Sequence, residues 1–142
     1  MAYLLDTSVI SELRRGRRCD PKVRQWVSAI PADELFISVL TLGEIRAGIE
    51  SKRRKDPEQA EAIERWLNSI TVEYATRTLP VTTVEADRWG RIPMQGRLPD
   101  VDGLIAATAM IHGLTVATRN TGDFWWSGVP LVNPFEESAA HG

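Results

Sequence analysis

Short apolar runs punctuate this chain, and helical spacing takes over between them. Tyr3-Leu4-Leu5 is one such run, ended by Asp6, and reads as a buried strand. Thr7 or Ser8 can cap a helix reaching about Arg15. Asp20-Pro21 is a cap with proline at the first helical position, and Val23, Trp26, Val27 and Ile30 follow at helical spacing until Pro31. Leu35-Phe36-Ile37 reads as a second strand. The helix after it, Val39 to Ser51, carries Leu42, Ile45 and Ile49 on one face. Asp56-Pro57 opens a further helix with apolar positions Ala60, Ile63, Leu67 and Ile70.

The second half continues the alternation. A short strand is expected from Thr78 to Val81. Thr82 and Glu85 have capping-box spacing for a helix through Trp89 to about Ile92. Residues 94–99, with Gly96 and Pro99, read as a loop. A small-residue helix spans Val101 to His112 and stops at Gly113. Thr115-Val116-Ala117-Thr118 is a strand, Leu131-Val132-Asn133 reads as a last one, and 137–142 is expected to be a flexible tail. Strands alternating with helices predict a three-layer α/β/α domain, residues 1–136, with a mostly parallel central sheet.

Composition narrows the class. A chain of 142 residues, 43% hydrophobic and 25% charged, suits one soluble globular domain. No apolar run is long enough to span a membrane. Residues 1–15 lack the pattern of a signal peptide, and the single cysteine, Cys19, has no internal disulfide partner, so a cytoplasmic location is expected. The net charge of −2 argues against a uniformly basic nucleic-acid binder. The basic residues cluster, however, at Arg14, Arg15, Arg17, Arg18, Lys22 and Arg24, and again at Lys52-Arg53-Arg54-Lys55. Each cluster reads either as a solvated helix end or as a phosphate contact.

The candidate chemistry lies in four acids. Asp6 follows the first strand, Glu44 lies in the first turns of the helix after the second, Asp102 lies in the first turn of the small-residue helix, and Asp123 follows the strand ending at Thr118. In a parallel sheet these positions share the carboxyl edge, where ligands bind. Asp102 tops a stripe of Ala106, Ala109 and Gly113, and Glu44 one of Ala47, Gly48 and Ser51. Such stripes suit close packing, which would desolvate each acid unless a hard cation such as Mg²⁺ or Mn²⁺ compensates. Taken singly, Asp6 is also a cap, Glu44 a solvated helix residue, Asp102 a favourable charge at a helix N-terminus and Asp123 a turn residue.

The stretches "YLLDTSVISEL", "ISVLTLGEIRAGIE", "LPDVDGLIAATAMIHGLTVATRNTGDF" and "VNPFE" resemble the PIN-domain ribonucleases, specifically VapC-type toxins of bacterial toxin–antitoxin pairs. The resemblance implies a Mg²⁺- or Mn²⁺-dependent endoribonuclease with Asp6, Glu44, Asp102 and Asp123 as its acidic metal site. It further implies polar support from Ser8, Thr118 and Asn120, an RNA substrate, a VapB-type antitoxin and a homodimer. Arg14 and Arg15 are candidate RNA contacts. His112 and His141 form no triad, and no nucleophile elbow or P-loop is present. An aspartyl-phosphate phosphatase would use Asp6 as nucleophile but usually carries a second Asp where Ser8 stands. A non-catalytic binding module is the other alternative. Trp26, Trp66 and Trp89 sit at helical apolar spacing, suiting a core or a dimer interface; Trp125-Trp126 follow Asp123 closely enough to lie beside a substrate path.

Overall fold

Leu4 and Leu5 show why the chain forms layers. Adjacent strand residues point to opposite faces of a sheet. Leu5 packs into one buried cluster with Val9, Ile10, Val23, Ile37 and Ile49, while Leu4 packs into another with Ile105, Ala106, Val116 and Phe124. The computed structural model describes residues 1–93 and 100–136, so the loop expected at 94–99 and the tail expected at 137–142 lie outside the described residues.

The strands are β1 (Tyr3–Leu5), β2 (Leu35–Ser38), β3 (Thr78–Leu79), β4 (Thr115–Ala117) and β5 (Leu131–Val132). Their order is β3-β2-β1-β4-β5, and every neighbouring pair is parallel. The helices are α1 (Thr7–Leu13), α2 (Pro21–Ser28), α3 (Val39–Arg53), α4 (Pro57–Glu73), α5 (Thr83–Gly90) and α6 (Asp100–His112). Helices α1 to α4 supply apolar residues to the Leu5 cluster, and α6 supplies Ile105, Ala106 and Ala109 to the Leu4 cluster. This is the expected α/β/α arrangement. Among the described residues, no helix is long and apolar enough to cross a membrane.

The ends of the elements follow local chemistry. Asp20 and Asp56 accept bonds from the first-turn N–H groups of α2 and α4, each with proline at the helix start. Thr82 and Glu85 form the capping box of α5. Helix α1 is shorter than expected, because a 3-10 turn at Gly16–Arg18 takes over where Gly16 adopts a φ of 59°. Strand β3 is also shorter than expected and stops before Pro80. Arg46 and Arg53 bridge α3 to Glu64 on α4, and Arg53 also pairs with Glu50 and Glu61. Arg53 of the second basic cluster therefore joins helix to helix.

The sheet order creates the site. From β1 the chain moves outward to β2 and β3, then returns to place β4 on the other side of β1. The crevice beyond the carboxyl ends of β1 and β4 is the switch point at which such sheets bind ligands.

Candidate metal centre

Register brings Asp6 and Thr118 together across 112 positions of sequence. Leu5 pairs with Ala117, and the Asp6 backbone N–H donates to the Ala117 carbonyl at 2.9 Å. The residue just after β4, Thr118, is fully buried and donates its hydroxyl to Asp6 Oδ2 at 2.8 Å. The Ser8 hydroxyl donates to the same oxygen at 3.0 Å. Both hydroxyls are themselves oriented: the Arg119 N–H donates to Ser8 Oγ at 3.1 Å, and the Asn120 N–H donates to Thr118 Oγ1 at 2.9 Å. Asp6 is thus a buried carboxylate (5% exposed) fixed by two shells of hydrogen bonds, none of which uses Oδ1.

This geometry shows that Asp6 is not a side-chain cap. It occupies the N-cap position of α1, and its carbonyl accepts the first helical bonds, yet its side chain makes no capping bond. The side chain faces Thr118 and Ser8 instead. Asn120 supports the network through its backbone, while its side chain is exposed.

Glu44 is held from α1. Thr7, the first residue of that helix, donates its hydroxyl to Glu44 Oε1 at 2.6 Å and lies 3.3 Å from Thr41 Oγ1. Sequence reasoning took Thr7 only for a cap. Its signal was its place beside Asp6, but the partner helix could not be read locally. The two small-residue stripes also differ. Ala106 and Ala109 beneath Asp102 are fully buried, as expected, whereas Ala47, Gly48 and Ser51 beneath Glu44 are exposed, against the close packing expected there. Helix α3 turns Ile45 and Ile49 to the core, which leaves the Glu44 face open.

Asp102 is the electrostatic centre of the group. Burial pushes its carboxyl up to about 6 from an ordinary 3.8, and the neighbouring charges of Asp6, Glu44 and Asp123 add to the rise, in that order. Asp6, Glu44 and Asp123 therefore each act on Asp102 through space. Asp123 ends the 3-10 turn Thr121–Asp123 after β4 and is exposed. The strap of residues 133–136 braces this loop: Asn133 Nδ2 donates to the Arg119 carbonyl at 3.4 Å, and the Arg119 guanidinium lies 3.9 Å over the Phe135 ring.

The set fits a hard divalent cation in donor type and charge, because carboxylate oxygens are what Mg²⁺ and Mn²⁺ prefer. Among the described residues, no three His, Cys, Asp or Glu side chains are drawn close enough to form a finished ligand group. Like charges without a cation repel, which favours such spacing. Burial first, and then the neighbouring like charges, raise the Asp102 carboxyl, and a cation would relieve the second of these.

The structure separates the two candidate arginines. Arg14 and Glu44 line one cleft of about 220 Å³ with Thr7, Ser11 and Gly48. Arg15 turns to Glu12 at 3.2 Å, a buried acid that also accepts the Asp20 N–H at 2.7 Å. His112 faces Glu85 at 3.5 Å, apart from the four acids.

The PIN domain family matches residues 3–124 of this chain. Toxin FitB of Neisseria gonorrhoeae is 33% identical over 142 residues, covering 94% of this chain and 99% of that protein. VapC ribonuclease Y4jK of Sinorhizobium fredii is 34% identical over 142 residues, covering 94% and 97% respectively. The solved structure of FitAcB from Neisseria gonorrhoeae superposes with a TM-score of 0.86 at 32% identity, covering 95% of this chain and 99% of that one.

Proposed function

The chain belongs to the PIN-domain family, and from that premise we propose that it is a VapC-type ribonuclease toxin, cutting RNA at the acid cluster and neutralised by a VapB-type antitoxin. The observation that carries the reading is the convergence of Asp6, Glu44 and Asp123 on Asp102, whose carboxyl they hold above its ordinary range after burial has begun the rise.

Asp6, Glu44, Asp102 and Asp123 would hold Mg²⁺ or Mn²⁺. When bound, such a cation supplies Lewis acidity toward the phosphate and raises the acidity of the attacking water. The chain's own residues do the positioning. Thr118 and Ser8 fix the Asp6 carboxylate through Oδ2. Thr7 steadies Glu44. Arg14, beside Glu44 in the cleft, offers a cation to the RNA backbone. Endonucleolytic cleavage, a homodimeric assembly and a cytoplasmic setting belong to the same proposal. The named relatives support the ribonuclease and toxin parts, and similarity to a solved toxin-antitoxin complex from Klebsiella pneumoniae, 28% identical with a TM-score of 0.66, supports an antitoxin partner.

Growth tests the toxin reading. Induction of the wild-type chain alone should arrest bacterial growth, and Asp6→Asn or Asp102→Asn should relieve the arrest at equal expression. Arrest undiminished by folded forms of both variants would refute it.

A further inference from the structure

Trp125 and Trp126 are not used by the site described above, although they stand beside it. Trp26 packs edge-on against Tyr3, at 4.8 Å between ring centroids and 74° between planes, and Trp66 packs against the Leu5 cluster. Trp125 and Trp126 behave differently. They are 59% and 40% exposed, although tryptophan is highly buried on average. They stack on each other, with centroids 4.1 Å apart and planes 27° from parallel. Two neighbouring indoles in water, ordered against one another, form a flat apolar slab.

The backbone holds that slab in place. Phe124 immediately before it is buried among Leu4, Ile105 and Val116. Ser127 Oγ donates to the Phe124 carbonyl at 2.6 Å and accepts the Val129 N–H at 3.1 Å, and Gly128, at a φ of 79°, ends the turn. Asp123 lies two residues before Trp125, so their Cα atoms are at most about 7 Å apart. Arg119, exposed in the same loop, carries a positive charge steadied by the Phe135 ring. The residues flanking the slab in the chain, Gly122, Asp123, Gly128 and Pro130, are exposed. That setting suits a ligand which alternates flat π-faces with negative charges.

Resting on the ribonuclease reading, we propose that Trp125 and Trp126 form a stacking platform for bases of single-stranded RNA next to the scissile phosphate. Every base has a π-face, so the platform positions the strand without selecting one base. The tryptophans are positioning residues. They take no part in the bond-breaking step.

The test compares two labelled probes by fluorescence anisotropy in chelator: a single-stranded RNA of about 12 nucleotides, within the site sizes usual for such binding, and an abasic ribose-phosphate strand of equal length and charge. The wild-type protein should prefer the base-bearing strand. Trp125→Ala and Trp126→Ala should each weaken that strand's binding by roughly 5- to 150-fold, the range reported for loss of one stacked base. Binding of the abasic strand should not change, and Trp125→Phe should recover part of the loss. Alanine variants that bind both strands like wild type, while the wild type still cleaves RNA with Mn²⁺, would overturn the platform and leave the ribonuclease reading intact. So would alanine variants that keep RNA binding but no longer retain a co-expressed VapB-type antitoxin, which would make the slab a protein contact. A wild-type protein that neither binds nor cleaves RNA would fail the ribonuclease reading, and the platform with it.

Discussion

Replacing Asp102 by Asn should stabilise the metal-free protein near neutral pH. Burial, then the Asp6, Glu44 and Asp123 carboxylates, push the Asp102 carboxyl from 3.8 to about 6. That difference corresponds to about 3 kcal/mol by linkage if no solvent screens it. Asp102 is partly exposed, so screening leaves about 1 to 2 kcal/mol. Asparagine forfeits the favourable placement of a negative charge in the first turn of α6, about 0.5 kcal/mol, and the net gain is about 1 kcal/mol. The sign with pH follows from which state holds the proton. Between 3.8 and about 6 the folded protein binds more protons at Asp102 than the unfolded chain. The penalty is therefore full above about 6, falls as pH drops through that value, and vanishes below the unfolded value. Urea melts in chelator at about pH 7.5 should show the variant more stable, and melts at about pH 5 should show the gap narrowing. Added Mn²⁺ should reverse the order, since a ligand at a hundred times its Kd stabilises by about 2.7 kcal/mol and the variant has lost a donor. An Asn variant less stable than wild type in chelator at neutral pH, or a gap unchanged by acid, would refute the reasoning.

Three further outcomes test the supporting residues. Thr118→Val should lower RNA cleavage roughly 10- to 100-fold, with Thr118→Ser keeping most of it, because a hydroxyl and not bulk fixes Asp6; in denaturant melts the Val variant should lose about 1–3 kcal/mol through unpaired buried groups. Thr7→Val should weaken Mn²⁺ binding by roughly 10-fold in a metal titration, while Thr7→Ser should bind nearly as wild type. Arg14→Ala should reduce the salt slope of RNA binding by about 1, and Arg15→Ala should leave it unchanged, since Arg15 is engaged by Glu12.

The layers, and the nearness of Asp6, Glu44 and Asp123 to Asp102, were legible because each rests on local pattern. Apolar runs marked the strands, and strand–helix alternation marked the parallel sheet that brings their ends together. The role of Asp6 was not legible locally, because a cap and a ligand both call for an acid after a strand. Thr118, brought alongside by the Leu5–Ala117 register, draws the Asp6 side chain away from the cap. Glu44 misled in a different way. Its small neighbours suggested packing, but helical period alone does not say which face meets the sheet; Ile45 and Ile49 took the core and left Ala47 and Gly48 outside. Arg14 and Arg15 looked equivalent until Glu12, three residues before Arg15, claimed one of them.

Cleavage of RNA by the purified protein tests the central claim most directly. Wild-type protein with Mg²⁺ or Mn²⁺ should cut RNA, chelator should stop it, and restored metal should revive it. Asp6→Asn and Asp102→Asn, folded by circular dichroism, should cut far more slowly under the same conditions. Equal cleavage with and without metal, or full activity in both variants, would contradict a metal site built on these four acids.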